Sequence, residues 1–144
     1  MRVEIEQDAR LKVPEITIRC PAIDEDILRI VAMLRVQEQK ITGILDGDYH
    51  LLDAKAILYF ESVDKRTFCY TQEAVYECPL RLYEIEELLS NTSFVRISKA
   101  CILNIDHLDS VKVLINGRLE ARLLNGEKLI INRHYVSAFK KKLG

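Results

Sequence analysis

The chain has 144 residues, with 49% hydrophobic and 30% charged residues and a formal net charge of −1. That is the size of one ordinary domain with enough apolar content for a real core, which excludes a disordered or collagen-like chain. No apolar run approaches the ~18 residues that span a bilayer, and MRVEIEQDAR carries acids where a secretory leader is apolar, so the cytoplasm is the expected location.

The first 42 residues differ from the rest and are expected to form a short strand–helix extension. Val13–Cys20 has strand composition and partial alternation, and Pro21 stops it. Asp24, Glu25 and Asp26 then suit a helix N-terminus, and Ile27, Ile30, Val31 and Leu34 fall on one helical face. This unit is too small to fold alone, so its apolar face is expected to pack on the main domain and to contribute to a homodimer.

Residues 43–144 read as a second unit, mainly β with short helices. Segments 41–45 and 49–52 flank the turn signal Asp46-Gly47-Asp48. Strands are expected at Ala56–Glu61, Arg66–Thr71 and Val75–Pro79, with a turn over Ser62–Lys65. A helix follows near 80–90, with Pro79 in its first turn, Leu82, Ile85 and Leu89 buried, and Glu84, Glu86 and Glu87 on a solvated side. Phe94–Asn104 reads as one strand. Asn116-Gly117 and Asn125-Gly126 favour type I′ turns, because both central residues there need positive φ, and they predict a three-strand antiparallel meander. Asn132 is placed to cap a final helix over 133–143, with Tyr135, Val136, Phe139 and Leu143 on its packed side.

The chemistry of the side chains narrows the function. The cysteines at 20, 69, 78 and 101 make no metal-binding pair, the histidines are scattered, and no phosphate loop or nucleophile elbow is present. Cys69 and Cys101 lie in apolar strands and read as small core residues. No enzyme, metal or cofactor is therefore expected. Charge is unevenly distributed: residues 1–91 hold 11 Lys and Arg against 18 Asp and Glu, whereas residues 92–144 hold 10 against 4. The basic residues Arg96, Lys99, Arg118, Arg122, Lys128 and Arg133 fall on strands or element ends, where they can meet phosphates. The same charges also serve as the polar face of a half-buried sheet.

Three segments in order resolve the choice. They are FVRISKACILN (94–104), LLNGE (123–127) leading to INRHY (131–135), and the upstream ILYFES (57–62). Together they resemble the LytTR family of bacterial DNA-binding domains over residues 44–144. The resemblance implies an antiparallel β domain whose loops and element ends enter successive major grooves of a repeated promoter site. It implies DNA contacts from Arg66 and Thr67, from Arg96, Ser98 and Lys99, and from Arg133. Two positions depart from the family pattern: Ser98 stands where a histidine is usual, and Ala100 where a serine is usual. Lys99 is left to take over, as a base or a phosphate contact, while Asn104 suits a cap or turn role at least as well as DNA contact. With only about 42 residues ahead of it, too few for a receiver domain, the chain resembles a stand-alone regulator. The resemblance further implies an inhibitory membrane protein encoded nearby. The alternative is an interaction module that kept the fold and lost specific DNA binding.

Overall fold

A computed structural model describes residues 1–144. Ten strands form two antiparallel sheets, joined by three α-helices and short 3₁₀ turns. Helix α1 (Glu25–Val36) precedes the hairpin β1 (Lys40–Leu45) and β2 (Asp48–Asp53). Strands β3 (Tyr59–Val63), β4 (Arg66–Tyr70) and β5 (Val75–Cys78) follow, then α2 (Leu82–Leu88), β6 (Phe94–Ser98) and β7 (Cys101–Asn104). These seven strands form one sheet in the order β2-β1-β5-β4-β3-β7-β6. The meander β8 (Leu108–Val113), β9 (Leu119–Leu123) and β10 (Lys128–Ile131) is the second sheet, and α3 (Val136–Leu143) ends the chain.

The large sheet is covered on both faces, and the alternation of strand side chains separates two cores. Phe60, Cys69 and Ile102 join Ala32, Val36, Ile85 and Leu89 beneath α1 and α2. Their neighbours Tyr59, Ile97 and Leu103 join Leu119, Leu123, Ile131 and Phe139 beneath the meander and α3. This explains why β6 and β7 read as almost uninterrupted apolar sequence. Tyr59 and Tyr70 stack at 4.3 Å in the second core, and their hydroxyls donate to Glu127 and Glu61 at 2.8 Å each. The first of these bonds ties the large sheet to the β9–β10 loop.

Several expectations are corrected. Val13–Cys20 is extended but pairs with nothing; it is not a strand of either sheet. Asp24 caps α1 by accepting from the Ile27 amide at 3.0 Å, yet the residues that seat the helix are Ala32 and Val36. Ile27, Ile30, Val31 and Leu34 lie only half-buried beside them. The boundary between 42 and 43 falls inside β1, which pairs with β2 along its whole length. Glu84 is not merely solvated. It accepts from Arg29 on α1 at 2.8 Å and from the Arg81 amide at 2.9 Å, fastening α1 to the start of α2. Pro79 precedes that helix by three residues rather than standing in its first turn.

The two Asn-Gly turns also differ from each other. Asn116 and Gly117 both have positive φ, 62° and 74°, as a type I′ pair requires. Only Gly126 does so in the second, at 93°. There the Gly126 amide closes a turn on the Leu123 carbonyl at 2.9 Å, and Leu123 N meets Glu127 O across a three-residue loop. That is a type I turn followed by a left-handed glycine. The Asn125 side chain accepts from the Glu127 amide at 3.0 Å, which favours this form over I′.

Three of the four cysteines are buried, and burial pushes the Cys78 and Cys101 thiols up to about 12 and raises Cys69 as well. A thiol held above its ordinary value supplies almost no thiolate at neutral pH. In the native protein Cys69, Cys78 and Cys101 are expected to resist iodoacetamide, while all react once the chain is unfolded. Mass spectrometry of the alkylated protein reads this directly.

Candidate nucleic-acid interface

Three turns meet at one end of the large sheet. The first joins β3 to β4 through Asp64 and Lys65, whose φ values are 50° and 65°. A left-handed lysine is strained and persists only where its surroundings hold it. Here the Arg81 guanidinium donates to the Lys65 carbonyl at 2.9 Å. The second turn, Lys99-Ala100, joins β6 to β7, so the segment read as one strand is a hairpin. Arg96 braces it from within the strand: Nε donates to the Ser98 carbonyl at 2.7 Å and Nη2 to the Lys99 carbonyl, while Nη1 meets Glu86 on α2 at 3.0 Å. The two hairpins are adjacent, because the Ser62 amide donates to the Ala100 carbonyl at 2.8 Å and Glu61 pairs with Cys101.

The third turn is Arg133–Tyr135, a single 3₁₀ turn between β10 and α3. The Asn132 amide donates to the Ile97 carbonyl at 2.9 Å, which sets this turn beside the end of β6. The expected helix start is corrected: the Asn132 side chain makes no capping bond and α3 begins at Val136. The β8–β9 loop closes against the same place. A Cβ added at Gly117 would lie 3.6 Å from Arg133 Cβ, so the loop backbone rests on the arginine stem. Asn116, Arg118, Asn132, Arg133 and His134 line a hollow there with no apolar wall.

The expected contact residues do not share one environment. Arg66, Lys99 and Arg133 are exposed; Lys99 and Arg133 stand on their turns, and Arg66 opens β4 directly after Asp64-Lys65. Ser98 is half-buried, and its hydroxyl accepts from the Ala100 amide at 3.2 Å, a bond internal to the turn. Thr67 is 4% exposed on the face of β4 that carries Cys69, so its hydroxyl is turned into the core and away from Arg66. Arg96 spends its donors on the turn and Glu86 and is a bracing residue. Arg66 donates twice to Glu77, at 2.9 and 2.6 Å, and lies 5.4 Å from the centre of the Phe68 ring. Those bonds hold the Glu77 carboxyl below the ordinary carboxylate range. Because the pair is largely exposed, solvent screens it and its contribution to stability is small, present above the usual carboxylate pKa and lost as pH falls through the lowered one.

Asn116, Arg118 and His134 join the cluster without having been singled out as contacts. Arg118 belongs to the basic residues of the C-terminal part, but only the closure of the β8–β9 loop on Arg133 brings it here. The division between bracing and exposed residues has a test. Arg96→Ala is expected to lower DNA affinity while leaving the salt dependence of binding unchanged, because in this fold Arg96 braces the turn that carries Lys99. Its stability cost is about 1 kcal/mol, since Glu86 stays solvated. Binding titrations at three salt concentrations decide this; a slope flatter by about 0.9 would move Arg96 to the phosphate contacts.

Comparison with known proteins agrees with this arrangement. The family model described as the LytTr DNA-binding domain matches residues 47–144. The solved LytTr DNA-binding domain of a Bacillus cereus response regulator superposes with a TM-score of 0.69 at 25% identity, covering 74% of this chain and 97% of that one. Two Staphylococcus aureus proteins, from strains NCTC 8325 and N315, are each 25% identical over 130 residues, covering 89% of this chain and 88% of theirs. Both carry the label uncharacterized HTH-type transcriptional regulator. In the present fold no two α-helices are consecutive in the chain, so strands and turns present its basic end. No helix is long and apolar enough to cross a membrane. With the family match spanning 47–144 and the solved domain superposing over 97% of its length, this chain belongs to the LytTr DNA-binding domain family.

Proposed function

We propose that this DNA-binding regulator reads promoter DNA sequence-specifically through the three-turn end, with Lys99 and Arg133 as the exposed reaching side chains and Arg66 joining them by exchanging Glu77 for DNA. The observation that carries the reading is that exposed cations gather at this end of the sheet, Lys65 and Arg66 at the first turn, Lys99 on the second and Arg133 on the third. Turns and element ends can enter a major groove where a whole sheet cannot, and arginine can grip a guanine edge with two donors. Arg118 and His134 flank Arg133 and suit adjacent phosphates. Ser98 shapes its turn from inside through its bond with the Ala100 amide, and Thr67 packs in the core behind Arg66.

On this reading two copies occupy a repeated site in successive major grooves, and the protein works in the cytoplasm, where promoters are. An inhibitory membrane protein encoded nearby would act by sequestering it, a partnership proposed on the family resemblance alone. Footprinting over the protein's own upstream region tests the reading. Protection of two segments one helical turn apart is the expected result. Unchanged mobility of promoter probes at micromolar protein would favour the interaction-module alternative.

A further inference from the structure

Residues 1–20 run as two extended segments joined by a turn in which the Leu11 amide donates to the Asp8 carbonyl at 3.2 Å. That is the only backbone–backbone hydrogen bond in these residues. Their apolar side chains are outside any core: Val3 is 80% exposed, Ile5 96%, Val13 68% and Ile16 69%. The arm lies alongside α1, where Ile27 and Ile30 border a groove walled by the arm itself. An extended segment with unsatisfied amides and exposed β-branched residues is an edge awaiting a strand.

We infer that the arm pairs with the arm of a second copy, as an antiparallel two-stranded join centred on Thr17. The segment Glu15-Ile16-Thr17-Ile18-Arg19 is self-complementary when reversed. Set antiparallel on a two-fold axis at Thr17, each Glu15 faces the second copy's arginine at position 19, and each Ile16 faces an isoleucine at position 18. A two-fold contact requires such self-matching, and opposite charges and β-branched pairs across a ladder stabilise it. Pro14 and Pro21 bound the segment and leave every amide between them free to pair.

In this register each Ile16, 69% exposed in the single chain, is covered by the second copy's isoleucine at position 18, while Glu15, Thr17 and Arg19 lie together on the other face of the two-stranded join. The join lies on the N-terminal extension, so it does not consume the basic turns. It deepens the reading that two copies act together and makes the pair independent of DNA.

Light scattering on the full chain without DNA is expected to give a dimer mass. Glu15→Arg and Arg19→Glu each place like charges across the two-fold and are expected to yield monomers. The double reversal restores opposite charges and is expected to restore the dimer. Thr17→Cys in a Cys20→Ser background should oxidise to a reducible covalent dimer, because paired residues bring the two Cα atoms within disulfide reach. A monomeric wild-type chain, or single reversals that stay dimeric, overturns the inference. A double reversal that stays monomeric overturns the register and with it the inference. The monomeric single variants should still shift a probe carrying one half-site; failure there counts against the DNA reading and not against the arm.

Discussion

Arg133→Ala is expected to weaken binding to the cognate promoter site by about 1–3 kcal/mol, roughly 5- to 150-fold, and to leave binding to a scrambled site nearly unchanged. The residue is exposed, its stem rests on the Gly117 backbone, and its turn is pinned to the end of β6. A fork held at the stem loses less side-chain freedom on binding than a loose one, which favours a directional two-donor contact. Its position just ahead of α3 adds a field that favours acceptors. Equal loss on both sites, with the salt slope flattened by about 0.9, would assign Arg133 to a phosphate. No loss on either, with the circular dichroism spectrum intact, would remove it from the contact surface. The charge-conserving change Arg133→Lys is expected to retain phosphate affinity but not the two-donor geometry, so it separates the two roles.

Phe139→Ala is expected to be the most destabilising single change in α3, at about 3–5 kcal/mol. The ring is fully buried between the meander and β6, in the core that holds Ile97, Leu119 and Ile131. Against a typical total of about 5–15 kcal/mol, such a loss removes a large part of the stability, and thermal unfolding should fall by roughly 10–20 °C. Leu143→Ala, one turn further along, should change stability by less than about 1 kcal/mol, because Leu143 is 48% exposed. This corrects the expectation that both residues line the packed side. The end of the helix is held instead by Lys142, whose ammonium donates at 2.8 Å to the Ser90 and Thr92 carbonyls. Differential scanning calorimetry on the two variants reads the contrast. At a temperature where Phe139→Ala remains folded, it should bind DNA more weakly than wild type, because α3 positions the turn that carries Arg133.

How much of this was legible depended on whether the deciding interaction is local. The Asp46-Gly47 hairpin, the Leu82–Ile85–Leu89 face and the three-strand meander follow from turn chemistry and periodicity within a few residues, and the sequence alone determined them. The family resemblance and the basic bias of residues 92–144 likewise needed no coordinates. The tertiary structure decided what depends on pairing at a distance. The turn at Asp64-Lys65 is expected from the sequence over Ser62–Lys65, but Lys99-Ala100 carries no glycine or proline and announces nothing; neighbouring strands impose it, and Arg96 holds it in place. Thr67 and Arg66 are adjacent in sequence, yet alternation sends one inward and one out, and only the packing of α1 and α2 says which face is inside. Arg118 reaches Arg133 because the β8–β9 loop folds across, and Val13–Cys20 has strand composition without a strand partner within its own chain, since a ladder needs a second edge that no local pattern can supply.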